Sequence, residues 1–146
     1  PAASPLPAPP SGGRVLVVDD DALVRSVLVE LVADLGYETS EADGVASGLA
    51  VYRASRVPFA CALIDLAMPG GGGAALLAEL RRLAPRLPIV LMSGFAESEA
   101  VAAVQSGGVA PPFLQKPFGR AQLADVLVDA ILTGGVPPAP RSDDPA

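Results

Sequence analysis

"VLVVDDD", Val15 to Asp21, runs four apolar residues straight into three consecutive carboxylates. A continuous apolar run of this kind reads as a strand buried on both faces, and two-sided burial is the mark of a parallel sheet covered by helices. The acids that follow pose the harder problem. Like charges so close repel, so the chain must either solvate them or supply a cation for them.

Outward from that stretch, strand-like and helix-like segments alternate. Leu23, Val24, Val27, Leu28, Leu31, Val32 and Leu35 recur at helical spacing, with Gly36 placed to end the helix. "YETSEA" reads as a second strand and Val45 to Ala54 as a second helix. "FACALI" is a third strand, and "DLAMPGGGG" leads into a helix from about Ala74 to Leu83. "PIVLMS" is the fourth strand, Glu97 to Gln105 a short alanine-rich helix, and "FLQ" a brief fifth strand. Leu123, Val126, Leu127, Ala130 and Ile131 then form a final amphipathic helix before Gly134. Five β-α units in succession imply an α/β domain with a parallel sheet covered on both faces.

Composition narrows the function classes. At 146 residues and 51% hydrophobic, the chain has material for one core and one domain. A formal net charge of -6 argues against a nucleic-acid-binding surface. No apolar stretch approaches the roughly 20 residues that span a bilayer, and the N-terminus lacks the features of a signal peptide. Direct membrane insertion is therefore not expected. Cys61 is the only cysteine and sits in an apolar run, so no intrachain disulfide forms and a reducing, cytoplasmic setting is expected. Five of the 16 prolines fall in residues 1–10 and four in 137–145. Residues 1–13 therefore read as a Pro/Ala-rich linker, 14–133 as the folded domain and 134–146 as a Pro-rich flexible tail. The chain opens at Pro1 without a Met, as a piece cut from something longer would.

The order of elements turns scattered residues into a site. In an open parallel sheet, ligands bind beyond the carboxyl ends of the strands. Those ends carry Asp19 and Asp20 after strand 1, Asp65 after strand 3, Ser93 after strand 4 and Lys116 after strand 5. Each alone has an ordinary reading: Asp21 suits a helix N-cap, Ser93 a turn hydroxyl, "MPGGGG" a flexible turn. Separate capping needs would not gather three carboxylates, a hydroxyl and an ammonium at one rim. Lys116 is also the only lysine among ten basic residues. A lone lysine in an arginine-rich chain points to a position needing a compact ammonium rather than a planar fork.

"VLVVDDD", "ALIDLAMPG", "VLMSGF" and "FLQKPF", in that order and spacing, resemble the receiver domain of two-component response regulators. The resemblance implies a flavodoxin-like (βα)5 sandwich with a five-stranded parallel sheet of order 2-1-3-4-5, and a phosphorylated aspartate as the signalling species. Asp65 matches the phosphoacceptor. Asp20 and Asp65, with the backbone carbonyl of Ala67, match the direct ligands of Mg²⁺ (or Mn²⁺), and Asp19 the residue that acts through a metal-bound water. Ser93 and Lys116 match the groups that contact the phosphoryl oxygens, and Phe113 the aromatic that turns when Ser93 moves. A cis peptide bond before Pro117 is a further family expectation.

Elementary chemistry agrees with that assignment. A carboxylate is a poor nucleophile toward an anionic phosphoryl donor, so charge must be neutralised and the groups aligned. An all-oxygen set suits Mg²⁺, and with the ion bound the acids stay ionised, which is one resolution of the "DDD" problem. The chain has no histidine, so its phosphoryl group must come from a partner histidine kinase or histidine phosphotransfer domain. The expected function is thus a phosphoacceptor signalling domain, not an enzyme acting on a separate substrate, in the setting of a hybrid histidine kinase or a single-domain regulator.

Two alternatives stay open: a degenerate receiver that only binds proteins, and a phosphoaspartate hydrolase, which is disfavoured by Ala67 standing where that chemistry expects a second Asp. The side chains of Ala67 and Phe95, two residues beyond the acceptor and the hydroxyl, cannot hydrogen-bond an attacking water, so slow self-dephosphorylation is expected. "GGGG" replaces the bulkier residues usual after the acceptor, which leads one to expect a mobile loop. The weakly encoded fourth helix leaves the output surface open, and the oligomeric state is also open.

Overall fold

The computed structural model describes residues 13–66, 68, 72–94, 113–116 and 118–132. Strands β1 (Arg14–Val18), β2 (Glu38–Ala42), β3 (Phe59–Asp65), β4 (Ile89–Ser93) and β5 (Phe113–Gln115) form one parallel sheet in the order β2-β1-β3-β4-β5. Helices α1 (Ala22–Asp34), α2 (Val45–Ala54), α3 (Gly72–Leu83) and α4 (Arg120–Leu132) alternate with them. The expected helix over Glu97–Gln105 and, apart from Gly13, the two terminal segments lie outside the described residues. Among the described residues, no helix is long and apolar enough to cross a membrane.

The opening stretch behaves as its composition demands. Side chains alternate across a strand. Val15 and Val17 accordingly enter one core with Leu28 and Val32 of α1 and Leu123 and Leu127 of α4. Leu16 and Val18 enter the other, with Leu76 and Leu80 of α3. Cys61 and Leu63 of β3 repeat the first assignment, Ala62 and Ile64 the second. Each buried large aliphatic side chain contributes about 1.5–3 kcal/mol, so a central strand apolar at each position from Val15 to Val18 stabilises both layers at once.

Helix α1 starts on its cap. The Asp21 carboxylate accepts hydrogen bonds from the amides of Leu23 and Val24 at 2.9 and 3.2 Å, satisfying two amides that have no partner within the helix. It stops at Gly36, whose φ of 102° is a left-handed conformation that side chains oppose. The seven apolar positions expected on its core face do not all lie there. Leu23 and Val27 are 80% and 56% exposed, while Leu28 and Val32 are buried. Seven positions wrap past one face, and the i,i+4 pair at 23 and 27 falls on the side turned from the sheet.

The glycine run also departs from expectation. Helix α3 begins at Gly72, two residues earlier than read from the sequence, with Gly72 and Gly73 both buried in its first turn. A Cβ on Gly73 would sit 2.5 Å from the Asp65 carbonyl oxygen and closer still to Leu66 Cα. At Gly73 glycine serves close approach of the helix to the end of β3. Gly70 and Gly71 lie outside the described residues.

Candidate functional site

Backbone hydrogen bonds continue the sheet one residue past several strands and fix the rim. The Asp19 amide donates to Ala42 O at 3.2 Å, the Leu66 amide to Met92 O at 2.7 Å and the Lys116 amide to Ser93 O at 2.9 Å. The residues that follow β1, β3 and β5 are therefore set by the pleat of the sheet, beside Ser93 at the end of β4.

Asp19 is fully buried. Its Oδ1 accepts from the Asp21 amide at 2.9 Å, and its Oδ2 from Lys116 Nζ at 3.0 Å. The same ammonium stands 3.5 Å from Oδ2 of Asp65, itself buried at the end of β3. Burial alone would lower the Lys116 pKa, but the hydrogen bond to Asp19 and the charges of Asp65 and Asp19 outweigh it, and the net direction is upward. Asp20 is exposed, yet its carboxylate converges with those of Asp19 and Asp65, one oxygen from each lying within 4.8 Å of the others. Ser93 is buried at the end of β4, and Phe113 is half-buried on neighbouring β5, against the α2–α3 side of the core.

The structure thus brings Asp19, Asp20, Asp65 and Lys116 together, with Ser93 at the end of the adjacent strand. Ala67, Phe95 and Pro117 lie outside the described residues. One contributor escaped the sequence reading. Arg25 Nη1 donates to the Asp19 carbonyl at 2.8 Å, and its Nε to Glu41 Oε1 at 3.0 Å, pinning the acidic turn to α1 and β2. The available signal was its place four residues after the capping Asp21, one helical turn above the acids.

Chemically, the rim offers three oxygen ligands, one of them open to solvent. That set fits a hard divalent cation such as Mg²⁺, which binds through one or two carboxylates and keeps several waters. The ammonium beside Asp65 is placed to meet further negative charge arriving there.

A doubly wound sheet of order 2-1-3-4-5, with its polar groups at the carboxyl ends of the strands, defines the flavodoxin-like class of α/β proteins. Within that class, the family model "Response regulator receiver domain" matches residues 15–128. The chain belongs to that family. The photosynthetic apparatus regulatory protein RegA of Rhodobacter capsulatus is 34% identical over 135 residues, covering 90% of this chain and 69% of RegA. The response regulator protein FleR of Pseudomonas aeruginosa is 33% identical over 133 residues, covering 90% of this chain but 27% of FleR. The structure of NtrX from Brucella abortus superposes with a TM-score of 0.75 at 32% identity, over 84% of this chain and 27% of that one. The chain therefore spans about a quarter of the length of FleR and of that NtrX chain. It is a signalling domain of response regulators.

Proposed function

We propose that Asp65 is the phosphoacceptor and takes a phosphoryl group from a partner's phosphohistidine. The observation that carries this reading is Lys116 Nζ reaching both Asp19 and Asp65, at 3.0 and 3.5 Å, beside a three-carboxylate cluster. An Asp65 oxygen attacks phosphorus, the P–N bond to the donor imidazole breaks, and an acyl phosphate remains. Asp19, Asp20 and Asp65, with the Ala67 carbonyl, are the residues that would hold Mg²⁺ or Mn²⁺. Such a cation supplies charge neutralisation between the acceptor and the incoming phosphoryl oxygens. Lys116 turns its ammonium to one of those oxygens and Ser93 its hydroxyl to another. Phe113 on the adjoining strand follows Ser93, passing the change to the surface.

Residues 14–133 form the receiver unit, flanked by the linker and the tail. The parent protein is a hybrid histidine kinase or a single-domain regulator working in the cytoplasm, where ATP-fed phosphohistidine partners reside. With Mg²⁺ and a small acyl-phosphate donor, one phosphoryl group should appear on the chain, and Asp65→Asn should abolish it. Undiminished, acid-stable modification of that variant by intact-mass analysis would overturn the assignment. Because the side chains of Ala67 and Phe95 offer an attacking water no hydrogen bond, self-dephosphorylation is slow. Ala67→Asn and Phe95→Glu should each speed phosphate release, and three equal rates would refute this.

A further inference from the structure

We propose that the pole of the molecule opposite the acidic rim is a docking cleft for an acidic, extended segment of a partner protein. The cleft has a volume of about 790 Å³ and lies where α2 gives way to β3 and α3 to β4. It was not singled out by any motif, and it is independent of the role assigned to Asp65.

Charge is the first argument. The chain carries a net -6, yet the cleft is lined by Arg53, Arg56 and Arg86 and by no carboxylate. All three arginines are exposed, and none has an ion-pair partner among the described residues. Arg14, Arg25, Arg82 and Lys116, in contrast, are each bound to an acid. Arg53 closes the last turn of α2, where a cation complements the negative end of the helix. Arg56 and Arg86 stand beyond their helices, where that effect has faded and gives no reason for a cation. Three uncompensated guanidiniums around one concavity make a local field of sign opposite to the whole molecule.

The floor supplies the second argument. Tyr52 and Phe59 stack with ring centroids 5.7 Å apart, and Val57 is 40% exposed beside them. Pro58 and Pro85 restrict the two connecting turns, so the walls are held before anything binds. An apolar floor between cations fits an extended segment with apolar side chains set among carboxylates. Position is the third. Phe59 and Asp65 stand at opposite ends of β3, roughly 20 Å apart at about 3.3 Å per residue. The cleft can therefore be filled while a phosphodonor occupies the rim.

The test is anisotropy titration of the full chain against a fluorescein-labelled glutamate-rich peptide with interspersed leucines. Saturable binding is expected, weakening as salt rises. It should fall at least tenfold in the Arg53→Glu/Arg56→Glu/Arg86→Glu variant, and by an intermediate factor in the corresponding glutamine variant. Asp65→Asn should bind like the wild type, and the charge-reversed protein should keep the wild-type unfolding midpoint; if it does not, the glutamine variant decides. Four outcomes would overturn the proposal: no saturation below about 1 mM, undiminished binding by the glutamine variant, preference for a single-stranded oligonucleotide or phosphatidylserine vesicles, or self-association of the chain that the arginine substitutions abolish.

Discussion

Removing the Lys116 ammonium would leave a fully buried Asp19 carboxylate with the Asp21 amide as donor and the Asp20 and Asp65 carboxylates close by. Breaking a buried pair from one side costs more than the pair itself contributes. Lys116→Met should therefore lower stability by about 3 kcal/mol in urea unfolding at neutral pH without divalent cation. The pH dependence follows from the raised folded pKa. The lysine's contribution is complete below its ordinary value of 10.5 and is lost as pH rises through the higher folded value. The wild-type advantage should hold steady from about pH 6 to about pH 9 and shrink only above 10.5; a decline inside that window would contradict the geometry. Cys61 shows the opposite fate of a buried ionisable group. Burial pushes its thiol up to about 12, so it serves as a small core hydrophobe. Its apolar flanks already told that story in sequence, and the single lysine likewise announced itself by composition. Arg25 was signalled only by its spacing from Asp21, because its bond to the Asp19 carbonyl leaves no trace in residue type and Glu41 is 16 residues away.

At the level of elements, what was legible is what local chemistry decides. The uninterrupted apolar run of β1 declared a strand covered on both faces, and Asp21 declared the start of α1, since both depend on neighbours in the chain. The outward turn of Leu23 and Val27 was not legible, because which side of α1 meets the sheet is settled by the packing of other elements. Gly73 was misread for the same reason. Its meaning lies in the Asp65 carbonyl across from it, a contact that a run of four glycines cannot reveal. Gly73→Ala should gain about 1 kcal/mol in helix propensity. Overpacking against rigid backbone should more than reverse this, for a net loss of about 1–2 kcal/mol in urea unfolding. Gly44→Ser is the control: a Cβ there meets nothing within 4 Å, and a change of about 0.5 kcal/mol or less is expected. Equal effects at the two glycines would refute the close-approach account.

Across the whole molecule, strand direction gives every β-α unit the same polarity, so the carboxyl end of the sheet carries the Asp19, Asp20 and Asp65 cluster and the amino end carries Arg53, Arg56 and Arg86. That division was half visible in the sequence. The acids sit in compact motifs, but Arg53 and Arg56 at the end of α2 and Arg86 beyond α3 are far apart in the chain, and the pairing of β3 with β4 makes them adjacent. The stacked pair of Tyr52 and Phe59 has an optical consequence. The chain has no tryptophan, and its two tyrosines, Tyr37 ahead of β2 and Tyr52 in the last turn of α2, both lie at the amino-terminal pole. Ultraviolet emission from the unmodified protein should therefore stay flat as Mg²⁺ is added to the far rim, and a quench on metal addition would mean that the two ends communicate. Tyr52, its ring already lying on Phe59, is instead a built-in fluorophore for whatever settles between the arginines.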